Sequence, residues 1–186
     1  GSNLAMRTFL LGLGKEIHSF CVDQIPYTCQ FLPESKTYRC ELQPLDYDLL
    51  ISVVCGSTSQ LAYGQTFPEL FHRNFLNIDH HASNDSFGTI NIVQTNLSST
   101  CEIVFNLFRY WNVKITPSTA TYLLFGLYYD TGSFMHSNVT PAVLEMADHL
   151  MQCGANQKMI ISNLYCNFSE EKFHLWGKTL EGIKIT

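Results

Sequence analysis

An α/β fold, a doubly wound and mainly parallel sheet flanked by helices with a helical C-terminal part, is the class this sequence predicts. Three observations carry it. Short apolar runs bounded by turn residues alternate with longer segments of helical period, and the second half reads almost entirely as helix. The 186 residues, 46% hydrophobic and 15% charged, can bury one substantial core.

The elements follow in order. Leu4, Phe9, Leu10 and Leu13 repeat at helical spacing, and Gly14 is placed to stop that helix. "KEIHSFCV" (15–22), "DLLISVV" (48–54), "FLNID" (75–79) and "TINIV" (89–93) read as strands. "STCEIVFNLFRYW" (99–111), capped by Ser99 and Thr100, and "PSTATYLLFGLYYD" (117–130) read as helices. "TPAVLEMADHLMQCG" (140–154) has Thr140 as its cap, Pro141 in its first turn and Gly154 as its stop, and "ANQKMIISNLYC" (155–166) is a further helix. In "SEEKFHLWGKTLEGIKIT", Ser169 caps an acidic first turn, and Phe173, Trp176, Leu180 and Ile183 form an apolar stripe. Residues 1–166 are thus expected to form one domain and 167–186 a connector helix, its stripe facing something beyond Thr186. No internal repeat, low-complexity tract or Gly/Ser linker interrupts the chain.

Composition removes several functions. A formal net charge of -5 argues against a basic footprint for long duplex nucleic acid. The seven cysteines are odd in number and contain no C-x-x-C pair, which reads as reduced thiols in a cytoplasmic protein. No apolar run approaches the ~20 residues that span a bilayer, and the first residues lack the pattern of a secretory signal. On that reading the N-x-[ST] matches at Asn84, Asn96, Asn138 and Asn167 are chance. "GLGKE" (12–16) fits a helix stop rather than a phosphate loop. His18, His72, His149 and His174 are isolated and read as surface or satisfied core histidines.

Chemistry concentrates in two places. "NIDHH" (77–81) puts a carboxylate and two imidazoles at a strand end, and in an open parallel sheet that edge faces the ligand crevice. An adjacent Asp and His offer a metal ligand and its partner, and the next imidazole can meet a substrate oxygen; the plainer alternative is a pair of surface loop histidines. In "YYDTGSF", Asp130 ends an apolar helix just before a Thr131-Gly132 turn, as a hard-metal ligand or as a turn residue. His136 lies near it as a candidate substrate contact. Ser99 and Thr100 are candidate phosphate contacts at a helix N-terminus.

"NIDHHASNDSFGTINIV", followed some way on by "GLYYDTGSFMHSN", closely resembles the DHH phosphoesterases, and within them the nanoRNase and pAp-phosphatase type. The resemblance runs over nearly the whole chain, from "GSNLA" to "TPAVLEMADHLMQCGAN". It implies a two-metal site, usually manganese with magnesium as the alternative, that activates water against phosphorus. His80 and Asp130 would be metal ligands, Asp79 would orient or assist the site, and His81 would contact the scissile phosphate. Short oligonucleotides, pAp or similar small phosphates would be the substrates, with polyphosphate, pyrophosphate or cyclic dinucleotides as alternatives; a homodimer is left open. The resemblance places a His and Asp-x-Asp motif ahead of Gly1 and a second, substrate-binding domain after Thr186. It also expects a metal-bridging aspartate where this chain has Val54. Val54 reads as a comfortable buried strand residue, and Asp48, six residues earlier and about 20 Å along an extended strand, cannot replace the carboxylate. The chain as given is therefore expected to be inactive. The second reading is a degenerate homologue that binds nucleotide or a protein partner without hydrolysis.

Overall fold

The computed structural model describes residues 1–40, 47–61, 74–166 and 170–183. Strands β1 (Leu50–Val53), β2 (Phe75–Asp79) and β3 (Ile90–Val93) form a parallel sheet in the order β1-β2-β3. Val53 pairs with Ile78, and Asp79 with Val93, so all three strands end at one edge. The central strand β2 buries Phe75, Asn77, Ile78 and Asp79. Its link to β3 is a loop rather than a helix, so the strict strand-helix alternation of the expectation is absent there.

The fourth expected strand, 15–22, does not form. Phe20 makes a single parallel bridge to Arg39, with Ser19 O and Cys21 N bonded to the Arg39 backbone. A strand exists only as part of a ladder, and on its other side a cavity of about 510 Å³ separates Ile17, Phe20 and Val22 from Leu50–Val53.

Helices α1 (Ser2–Gly12), α2 (Thr100–Tyr110), α3 (Pro117–Asp130) and α4 (Pro141–Gln152) lie where their periodicity put them. The sequence of α3 is apolar nearly all round, and the helix is buried accordingly, packed against α1, α2 and α4. Leu123, Leu124 and Leu127 of α3 meet Ile103, Val104 and Phe108 of α2 and Val143 and Leu150 of α4 in one core, and α2 ties that core to β2 through Ile78. Thr140 Oγ1 accepts from Val143 N at 3.3 Å, as its capping role requires. Gly14 and Gly154 close α1 and α4 at φ of 73° and 88°, each followed by a backbone bond that reaches back across the last turn.

The segment 155–166 is not one helix. It divides into α5 (Gln157–Ile161), capped by Asn156, and a wider π-type turn over Ser162–Cys166. Helix α6 (Glu170–Glu181) forms with Glu170 and Glu171 in its first turn; its expected cap, Ser169, lies outside the described residues, as does His72. The stripe of Phe173, Trp176, Leu180 and Ile183 is 54–64% exposed. All seven cysteines are free thiols. Among the described residues no helix is long and apolar enough to cross a membrane.

Candidate metal centre

Asp79 is the last residue of β2 and is completely buried. A buried carboxylate is tolerated only when its oxygens are hydrogen-bonded, and these are. Oδ1 accepts from His80 N at 2.7 Å and from His81 Nδ1 at 2.8 Å, and Oδ2 accepts from Asn84 Nδ2 at 2.7 Å. Burial alone would raise the Asp79 pKa, but the bonds from Asn84, His81 and His80 N outweigh it and hold the carboxyl below its ordinary value.

The two histidines point differently. His81 is half exposed and turns its Nδ1 to Asp79. The His80 ring is largely buried and turns toward the end of α3, with Nε2 4.0 Å from Asp130 Oδ2. Asp79 therefore partners His81 rather than the ring expected to ligate metal. Asp130 is partly buried, and desolvation raises its pKa above the ordinary carboxylate value, with His80 acting the other way.

Asp130 is aimed by the turn that follows it. Gly132, Ser133 and Phe134 all have left-handed backbone, with φ of 55°, 60° and 67°. Thr131 Oγ1 pins the turn by donating to Leu127 O and accepting from Phe134 N. His136 folds back over Gly132, where a β-carbon would stand 2.3 Å from His136 Nε2, and its Nδ1 reaches Asp130 O at 3.3 Å. Asn138 Nδ2 donates to both Asp130 O and Ser98 O, which joins the end of α3 to the entrance of α2. Ser99 is fully buried, and its Oγ accepts from Glu102 N at 3.1 Å as the cap of α2. Asp79, His80, His81 and Asp130 thus come together and His136 lies against the Asp130 backbone and Gly132, while the Ser99 hydroxyl is turned into its own helix.

Val54 overturns one expectation. It follows β1, its N donates to Ile78 O, and it stands at the same edge as Asp79; yet it is 41% exposed and has φ of 68°. A β-branched side chain in left-handed backbone is strained, so this is not a comfortable strand position. Asp48 lies just before β1, its O bonded to Asn74, at the opposite end of the strand.

Sequence reasoning missed Asn84 and Asn77. Asn84 Nδ2 also donates to Cys55 O at 2.9 Å, and its Oδ1 accepts from Asn77 Nδ2 and Ser86 N, each at 2.8 Å. The available signal was an Asn in the turn just after the strand-end carboxylate, a residue type that bonds local backbone.

The donor set fits a hard divalent cation. Two donors 4.0 Å apart can reach one ion between them, since imidazole and carboxylate bonds to such metals are each about 2.0–2.2 Å. The carboxylates suit a hard cation and the imidazoles a borderline one, and no thiolate is among these donors. One ligating atom from each of Asp79, His80 and His81 also falls within 4.8 Å of the others.

A parallel sheet with Asp-His-His at the carboxyl end of its central strand, facing an aspartate at a helix end, defines a class of α/β domain. The chain belongs to the DHH family: the description "DHH family, N-terminal domain" matches residues 1–127. It is 28% identical over 183 residues, 98% of its length, to the bifunctional oligoribonuclease and PAP phosphatase NrnA of Thermus thermophilus, of which it covers 54%. Against the Bacillus subtilis protein of the same name it is 27% identical over 123 residues, 64% of this chain and 39% of that one. The chain therefore spans about half the length, or less, of these relatives. Its fold matches an exopolyphosphatase-related protein from Bacteroides fragilis with a TM-score of 0.90 at 21% identity, covering 100% of this chain and 57% of that one.

Proposed function

We propose that this chain is the DHH half of a manganese-dependent, or alternatively magnesium-dependent, phosphoesterase acting on short oligonucleotides, pAp or related small phosphates in the cytoplasm. The observation that carries the reading is the approach of His80 Nε2 to Asp130 Oδ2, beside a buried Asp79 that holds His81. In this reading His80 and Asp130 hold the cation, which when bound supplies charge neutralisation at phosphorus and acidifies a water.

The remaining roles belong to side chains. Asp79 stays ionised and orients His81, whose outward nitrogen, when protonated, would bond the scissile phosphate and donate its proton to the leaving oxygen. His136, whose Nδ1 reaches the Asp130 carbonyl, is a further candidate substrate contact. Ser99 contributes through the N-terminus of α2 that it caps, not through its hydroxyl, which already accepts a bond. Val54 leaves the end of β1 without a carboxylate, which favours the second reading, a homologue that binds nucleotide or a protein partner without hydrolysis.

Phosphate or mononucleotide release from pAp and short RNA, with manganese, separates the two. The 186-residue chain and a form extended with the upstream motif and downstream domain of a relative are expected to show little turnover. Val54→Asp in the extended form should raise the rate by orders of magnitude, and His81→Ala should lower it again. Robust turnover with Val54 in place would sink the role given to that position, and none after Val54→Asp would favour the binding-only reading.

A further inference from the structure

We infer that Asn84 is a positioning residue: its amide fixes the Asp79 carboxylate so that His81 is held as the Nδ1–H tautomer, with Nε2 left to take a proton. The orientation of Asn84 is set by backbone groups of fixed polarity. Ser86 N can only donate, so the atom 2.8 Å from it is the amide oxygen; Cys55 O can only accept, so the atom 2.9 Å from it is the nitrogen. With that orientation, both amide hydrogens and both oxygen lone pairs are used, on Cys55 O, Asp79 Oδ2, Asn77 Nδ2 and Ser86 N.

The consequence passes through Asp79. Its Oδ2 is tied to Asn84, which turns Oδ1 toward His80 N and His81 Nδ1. An ionised carboxylate only accepts, so Oδ1, which takes the His80 N–H, also accepts from His81, and the His81 nitrogen 2.8 Å away carries the hydrogen. His81 is half exposed, and its ring is held by that bond and by its packing on the His80 ring at 4.3 Å. Asn84 is itself held from below by Asn77, a buried residue of β2 that also donates to Asn91 on β3. The sheet thereby sets a tautomer at its edge, and the amide staples the loops after β1 and β2 together.

The tautomer stands on this geometry alone; its use in catalysis rests on the phosphoesterase reading. The test is a long-range proton–nitrogen NMR spectrum of the ¹⁵N-labelled chain, in buffer basic enough to keep the imidazoles neutral. Wild type is expected to show His81 as Nδ1–H. Asn84→Ala, and Asn84→Ser should the alanine form fail to melt cooperatively, should move His81 toward the Nε2–H form that predominates in water. Asn91→Ala, which loosens the same loop without touching Asp79, should leave it in place. An Nε2–H His81 in wild type, or an unchanged tautomer in a folded Asn84 variant, would overturn the inference. A tautomer switch in a chain that takes no manganese at His80 and Asp130 would uphold the positioning role and remove the metal-dependent reading instead.

Discussion

His80 Nε2 and Asp130 Oδ2 stand 4.0 Å apart, so the end of β2 and the end of α3 present one donor pair across the carboxyl edge of the sheet. Neither residue has the other as a good hydrogen-bond partner at that distance. Removing either should abolish what manganese binding the chain has, without unfolding it. Calorimetry on His80→Ala and Asp130→Asn checks this. Wild-type affinity is expected to be weak, since few ligands are present, and sub-micromolar binding lost in His80→Ala would reveal a fuller site.

The two carboxylates should respond to pH with opposite signs. Asp79 has a native pKa below its ordinary 3.8, so its contribution to stability is complete above that value and is lost as pH falls through the lower native one. Asp130 has a native pKa above 3.8, so its ionised form costs stability near neutrality, and the cost disappears as pH falls below the ordinary value. Metal-free Asp130→Asn should therefore melt a few degrees above wild type at pH 7 and level with it in strong acid. Asp79→Asn should melt lower at pH 7. Thermal melts with a chelator present read both.

Val54 offers a test of backbone against charge. Its left-handed φ of 68° stores about 1–3 kcal/mol of strain, which Asn or Gly relieves. Val54→Asn should raise the melting temperature. Val54→Asp should gain less without metal, because its charge lies beside Asp79, and should gain more than Val54→Asn once manganese is added.

Much of this site was legible in the sequence, and what was not depended on distant neighbours. Asp79, His80 and His81 follow an apolar strand run, and Asp130 follows an apolar helix, so local pattern alone put each at an element's end. Thr140 and Gly154 marked their helix ends because capping and left-handed closure are local chemistry. Residues 15–22 carried the same strand signal as β1, but among the described residues their pairing is a single bridge from Phe20 to Arg39, and a strand needs a longer ladder. Asn84 looked like any turn residue because its four bonds join segments that only folding brings together. Val54 looked like strand because φ is not written in side-chain hydrophobicity.

Gly126 tests how the helical layer supports the edge. A β-carbon there would stand 2.2 Å from Cys101 Sγ, closer than any real contact. Alanine in a helix gains about 1 kcal/mol over glycine, while overpacking costs about 1–3 kcal/mol, so the clash should win. Gly126→Ala should lower the melting temperature, and Cys101→Ala added to it should restore part of the loss.

The central claim is that the Asp79, His80, His81 and Asp130 cluster is where this chain takes a divalent cation. The most direct measurement is sub-stoichiometric manganese added to the ¹⁵N-labelled chain, because the paramagnetic ion broadens the resonances nearest to it even when binding is weak. The account predicts that His80, His81 and Asp130 broaden first and that His80→Ala removes the effect. Broadening that begins at surface acids away from this edge, such as Glu145 and Asp148, and is unchanged in His80→Ala would contradict it.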